Sequence, residues 1–97
     1  RDLSESTAAF VNALLRSNPG MRTAGDPQAV RISQRSGIGT SLVGRSALDQ
    51  VERVGIYTTL LADGSLFYYL TVVPDADAQI YAPAFDRVGN SIRLNDR

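Results

Sequence analysis

The side chains that could do chemistry in this chain are carboxylates, hydroxyls, tyrosines and arginines, because histidine and cysteine are both absent. Zinc sites are built mainly from imidazole and thiolate, so a zinc site within this chain is not expected. Ser-His-Asp and Cys-His catalysis lack their general base here, and disulfides are excluded as a structural staple. No catalytic residue, metal ligand or cofactor-binding residue is therefore assigned. Asp75 and Asp77 could form a carboxylate pair for acid-base work or calcium, but helix capping explains them with less machinery. Asp63 is similarly explained by a turn. Tyr57, Tyr68, Tyr69 and Tyr81 could form an aromatic surface, since tyrosine joins apolar area to a polar tip. Tyr57 and Tyr68 are the residues we single out as a partner surface.

Two glycine patterns invite a nucleotide reading. GTSLVGRS at residues 39–46 has the spacing of a phosphate-binding loop, with Arg45 where lysine belongs. Arginine is planar and bulkier, Leu42-Val43 is strand-like, and no strand ending in a magnesium-holding acid accompanies it. The segment reads as a strand running into a loop. Gly37-Ile38-Gly39 begins a dinucleotide fingerprint, but Leu42 occupies the third glycine position, so that reading fails.

Charge narrows the partners. Ten basic residues, all arginine, balance ten acidic ones. The arginines are spread from Arg1 to Arg97 without a cluster. A dedicated nucleic-acid binder carries a basic face, so nucleic acid is not expected as a partner. No apolar run approaches the ~18–20 residues that span a bilayer, so no membrane insertion by this segment is expected. The chain starts at Arg1 and reads as a single domain, or domain fragment, over residues 1–97, excised from a larger protein.

The elements follow from periodicity. Asp2 caps a first helix, with Glu5 in the capping-box position and Leu3, Phe10, Val11, Leu14 and Leu15 on one face. Asn18-Pro19-Gly20 ends it. Short extended pieces are expected at residues 21–24 and 29–33, with a turn at Gly25-Asp26-Pro27, a polar turn over residues 34–37 and a strand over 38–43. Residues 45–50 read as a loop. Residues 51–61 and 66–73 form a hairpin around Asp63-Gly64, a dipeptide suited to a two-residue type I′ loop. That loop pairs Leu60 with Phe67, Thr58 with Tyr69 and Tyr57 with Leu70. It puts Val54, Ile56, Leu60, Phe67, Tyr69 and Val73 on one face, and Tyr57, Leu61, Leu66, Tyr68, Leu70 and Val72 on the other. Both faces are largely apolar and both need covering. After Pro74, Asp75 caps a second helical region, with Ile80, Tyr81, Phe85, Val88 and Ile92 as its stripe and a break at Pro83. Residues 92–94 close the domain as a short extended piece. The fold class is α+β: an antiparallel sheet of about four or five strands flanked by an N-terminal and a C-terminal helix.

Five stretches together carry a family resemblance: AFVNALLRSNPG at residues 9–20, TTLLADGSLFY at 58–68, Val73-Pro74, YAPAF at 81–85 and SIRL at 91–94. They resemble the C-terminal extension of bacterial zinc metallopeptidases of the CAAX-protease type, in which the HExxH catalytic domain lies upstream. The hairpin followed by a helix with a late Phe85 is also similar to PsbP-like α/β/α sandwiches, which makes the expected sheet a partial sandwich. No catalytic residue carries over, because the HExxH motif needs two histidines. The resemblance implies a non-catalytic accessory domain that binds protein or positions substrate. No activity is expected from this chain alone, and zinc belongs to the upstream catalytic domain of the parent. It also implies a bacterial envelope, periplasmic or secreted location, with the parent catalytic domain or another protein as partner. The alternative is a free-standing domain binding a small ligand or a protein. Domains of this kind begin with further strands before the first helix. Their absence leaves a sheet edge open, so a homodimer of the segment is expected.

Overall fold

A computed structural model of the chain describes residues 2–45, 50–77, 80–81 and 83–84. Helix α1 spans Leu3–Ser17. The Asp2 carboxylate accepts from the Ser4 N–H at 2.7 Å, satisfying one of the free amides of the first turn. At the other end the Asn18 side chain donates to the Leu14 carbonyl at 2.8 Å, and Pro19 cannot continue the helix. Both ends fall where the sequence places them, but Asp2 bonds the Ser4 amide and Glu5 does not complete a capping box.

Five strands follow: β1 Met21–Thr23, β2 Gln28–Ile32, β3 Arg35–Arg45, β4 Val51–Leu60 and β5 Leu66–Pro74. All pair antiparallel in one sheet, confirming the α+β class. β3 is the longest strand, and β1 and β2 share one of its edges. β2 pairs its first half, from Ile32 opposite Arg35 to Gln28 opposite Gly39. β1 pairs its last residues, with Met21 opposite Gly44. β4 lies on the other side of β3, and β5 lies beyond β4.

Helix α1 crosses the face formed by Leu42 of β3 and Ile56 of β4, where Val11 completes a buried cluster flanked by Phe10, Leu14, Leu15, Met21 and Val54. Thr7 lies on this helix stripe too. Its hydroxyl and that of Thr58 form a buried hydrogen bond of 2.8 Å, so two polar groups under the helix satisfy each other. The opposite sheet face carries buried Ile32, Val43, Thr59 and Val73.

Three expectations are corrected. First, the β4–β5 loop is not a two-residue type I′ turn. Leu61 N–H donates to Ser65 O at 2.8 Å and Gly64 N–H to Leu61 O at 2.9 Å, a type I turn closed by a glycine bulge. Only Gly64 has positive φ, at 87°, and the Asp63 carboxylate accepts from both the amide and the hydroxyl of Ser65. The pairing therefore slips by one residue, to Leu60 opposite Leu66, Thr58 opposite Tyr68 and Tyr57 opposite Tyr69. A one-residue slip reverses which side chains share a face. Val54, Ile56 and Leu60 lie with Leu66, Tyr68, Leu70 and Val72. Gly64→Ala places a Cβ at this φ and is expected to cost about 1 kcal/mol in thermal unfolding. An unchanged midpoint would mean that the turn relaxes freely.

Second, the polar turn expected over residues 34–37 is a two-residue turn at Ser33-Gln34, with φ of 52° and 65°. It has the double positive φ of a type I′ turn without glycine. The Arg31 guanidinium donates to Gln34 O at 3.0 Å and steadies it. Third, Asp75 is not a helix N-cap. It lies inside a 3-10 turn, Asp75–Asp77, directly after β5. Residues 80–81 and 83–84 are helical. The rest of the expected C-terminal stripe (Phe85, Val88 and Ile92), the closing piece at 92–94 and residues 46–49 of the expected loop lie outside the described residues.

Candidate interaction surface

The sheet is wider than the helix that lies on it. Helix α1 lies over β3 and β4 and reaches β5, whose row on the same face stays about half exposed. Tyr68 is 49% exposed, Leu70 44% and Val72 57%. These residues form one row because alternate side chains of a strand share a face. The row meets α1 at its Tyr68 end, where the rings of Phe10 and Tyr68 are 4.4 Å apart and tilted by 38°. Beyond Val72 the row runs into a cleft of about 470 Å³ lined by Asn18, Met21, Arg45, Glu52, Val54 and Val72.

The two tyrosines singled out from sequence are on opposite faces. Tyr68 belongs to the open row. Tyr57 lies on the other face, half-buried and stacked on Tyr69 at 4.9 Å. Its ring spreads over two glycines. A Cβ on Gly55 would stand 2.9 Å from the Tyr57 ring, and one on Gly39 would stand 3.3 Å from it. Tyr57 thus fills space that two missing side chains leave. The register slip separates this packing residue from the exposed one.

The chain matches no protein-family model, no curated protein and no solved structure.

The chemistry-bearing segments are placed as follows. Residues 39–45 of the phosphate-loop pattern are extended strand, inside β3, with their backbone paired to β1 and β4. They form no loop that could cradle a phosphate. The Asp75 carboxylate accepts from the Arg53 Nε at 2.9 Å, tying the 3-10 turn to β4. Among the described residues no group of three or more His, Cys, Asp or Glu side chains is placed to hold a metal. No helix among them is long and apolar enough to cross a membrane.

Sequence reasoning placed Leu70 and Val72 in the hairpin but gave them no separate role. One signal could have found them. Pro74 ends the strand, and proline within a sheet is confined to edges because it has no N–H to donate. A proline at the end of an apolar strand fits an edge position, and the row of β5 next to the first helix is the part left partly exposed among the described residues.

Proposed function

We propose that this chain is a non-catalytic docking domain of a larger bacterial envelope or secreted protein of the zinc metallopeptidase type, binding protein or positioning substrate for a catalytic domain elsewhere in the parent. The observation that carries the docking role is the open row Tyr68, Leu70 and Val72 on the strand that ends the sheet among the described residues. Apolar side chains gathered on a sheet edge are a natural surface for another polypeptide. The resemblance of residues 9–20, 58–68 and 81–94 to metallopeptidase extensions and PsbP-like sandwiches is the ground for the parent's class. The residue composition supports the division of labour, because the imidazole and thiol groups of a peptidase centre must come from elsewhere.

The purified chain, supplied with zinc and a mixture of unstructured peptide substrates, is expected to release no new amino termini above the zinc-only blank. Turnover that co-purifies with the folded chain would overturn the docking reading.

A further inference from the structure

The edge of β3 that faces away from β4 is interrupted. β2 pairs it from Arg35 to Gly39 and β1 from Leu42 to Gly44. The connection between those two strands leaves the sheet opposite Thr40 and Ser41. Ala24 N–H donates to Ser41 O at 2.8 Å, and Gly25, at a φ of 90°, turns the chain ahead of Asp26 and Pro27. A cleft of about 340 Å³ lies between this loop and helix α1. Ile38 and Thr40 of β3 line it, with Val11 and Asn12 from the helix and Asp26 and Pro27 from the loop. Its volume is at the lower end of the ~300–1,000 Å³ of small-molecule sites. One group in it is out of balance. Thr40 is 6% exposed, and its Oγ1 is buried without a hydrogen-bond partner. Buried hydroxyls are ordinarily bonded, because losing water without a replacement costs free energy. The hydroxyls of Thr7 and Thr58 bond each other, and that of Thr58 also donates to Ile38 O, so neither serves Thr40.

We propose that this cleft binds a small uncharged polyol, with one ligand hydroxyl on Thr40. The lining selects the class. A threonine hydroxyl is one donor and two acceptors. A single ligand group that both donates and accepts answers it, and another hydroxyl does so. An ammonium only donates, and a carboxylate or phosphate only accepts. Asp26 is the ionisable side chain among the described lining residues, and it disfavours anions. Asn12 presents donors and an acceptor, and Asp26 presents acceptors, on exposed positions of the two walls. Neither side chain is committed to another group among the described residues. Further ligand hydroxyls meet them there, which is why a polyol fits better than a simple alcohol. Val11, Pro27 and Ile38 give the carbon skeleton an apolar surface. The site stands apart from the docking reading, because β5 is at the opposite side of the sheet.

The test titrates the isotope-labelled chain with myo-inositol and, in parallel, with its monophosphate and with cyclohexylamine. A dissociation constant of about millimolar order is expected for the neutral probe, given its few heavy atoms. Saturable amide shifts are expected at Asn12, Asp26 and Thr40 and not at Tyr68, Leu70 or Val72. The phosphate and the amine should bind at least about fivefold more weakly, since each leaves Thr40 imperfectly paired. Thr40→Val keeps the branched shape and removes the hydroxyl. It should weaken myo-inositol about tenfold and leave the urea midpoint of the free chain unchanged or raised, because no partner is abandoned. Asn12→Ala, at an exposed helix position, should weaken binding about threefold at an unchanged midpoint. Undiminished binding by Thr40→Val, equal binding of the three probes, shifts confined to other surfaces, or no saturation up to about 100 mM would each overturn the proposal. So would a lower midpoint for Thr40→Val, because the hydroxyl would then hold a structural partner in the free chain, an ordered water being the simplest. Turnover in the zinc assay would remove the docking reading and leave this one standing.

Discussion

Ile56→Ala is expected to lower the stability of the chain by about 3 kcal/mol, read as a fall in the urea midpoint at unchanged slope. Ile56 is fully buried at the centre of β4, between Leu42 on β3 and Val11 on α1. Truncation removes transfer energy and leaves a cavity that three elements would have to close. Those elements cannot follow it easily, because β4 is paired on both sides and α1 is held by the Thr7–Thr58 bond. For a domain of this size the loss corresponds to a thermal midpoint lower by about 12–25 °C. Val72→Ala removes a similar aliphatic group from a position 57% exposed and should change stability by less than about 0.5 kcal/mol. If the two variants cost the same, α1 does not define the core, and the open face of β5 is not open in solution.

The contrast between these positions also shows how far the sequence could be read. Helix α1 was legible at both ends because local chemistry sets it: Asp2 at the start, Asn18 and Pro19 at the stop. The strand content was legible from β-branched and aromatic runs. The register of β4 on β5 was not. Asp63-Gly64 suits a two-residue loop with both residues at positive φ, and equally a type I turn in which Gly64 alone is left-handed. Gly64 satisfies both, and the difference lies in the φ of Asp63, which its side chain does not fix. Normally the hydrophobic pattern settles such a tie, because the wrong register buries polar groups. In LFYYLTVV at residues 66–73 both alternating rows are apolar, so either register buries apolar groups. The Asp63–Ser65 bonds and the fit of Thr58 beneath Thr7 belong to the folded state alone. The same limit hid the separation of Tyr57 from Tyr68. The turn at Ser33-Gln34 was misplaced for another reason. It has left-handed backbone without glycine or asparagine, and is sustained by Arg31 and by strands on either side that already pair.

Gly37→Ala should cost about 2 kcal/mol, more than an extra methyl group ordinarily costs in a strand, where alanine is otherwise favoured over glycine. The reason is what the new Cβ meets. It would stand 2.7 Å from the backbone oxygen of Thr58, with Ile32 Cδ1 at 3.1 Å and Val30 Cγ2 at 3.2 Å. Side-chain tips can turn aside, but a carbonyl in a central strand cannot. Thr58 is fully buried, its hydroxyl is bonded to Thr7 and also donates to Ile38 O at 3.3 Å, and β4 is paired on both sides of it. Relief must come from spreading β3 and β4 apart, which loosens the contact on which α1 rests. Gly39→Ala provides the comparison within the same strand. Its nearest atoms are Val30 Cγ1 at 3.2 Å and the Tyr57 ring at 3.3 Å, both side chains, and a change below about 1 kcal/mol is expected. Chemical denaturation of both variants distinguishes the cases. Equal losses would mean that the side chains around Gly39 resist an added methyl as firmly as the backbone beside Gly37 does, whereas a loss confined to Gly37 locates the constraint in the close approach of two central strands. In the second case β5 keeps its register against β4 in the Gly39 variant.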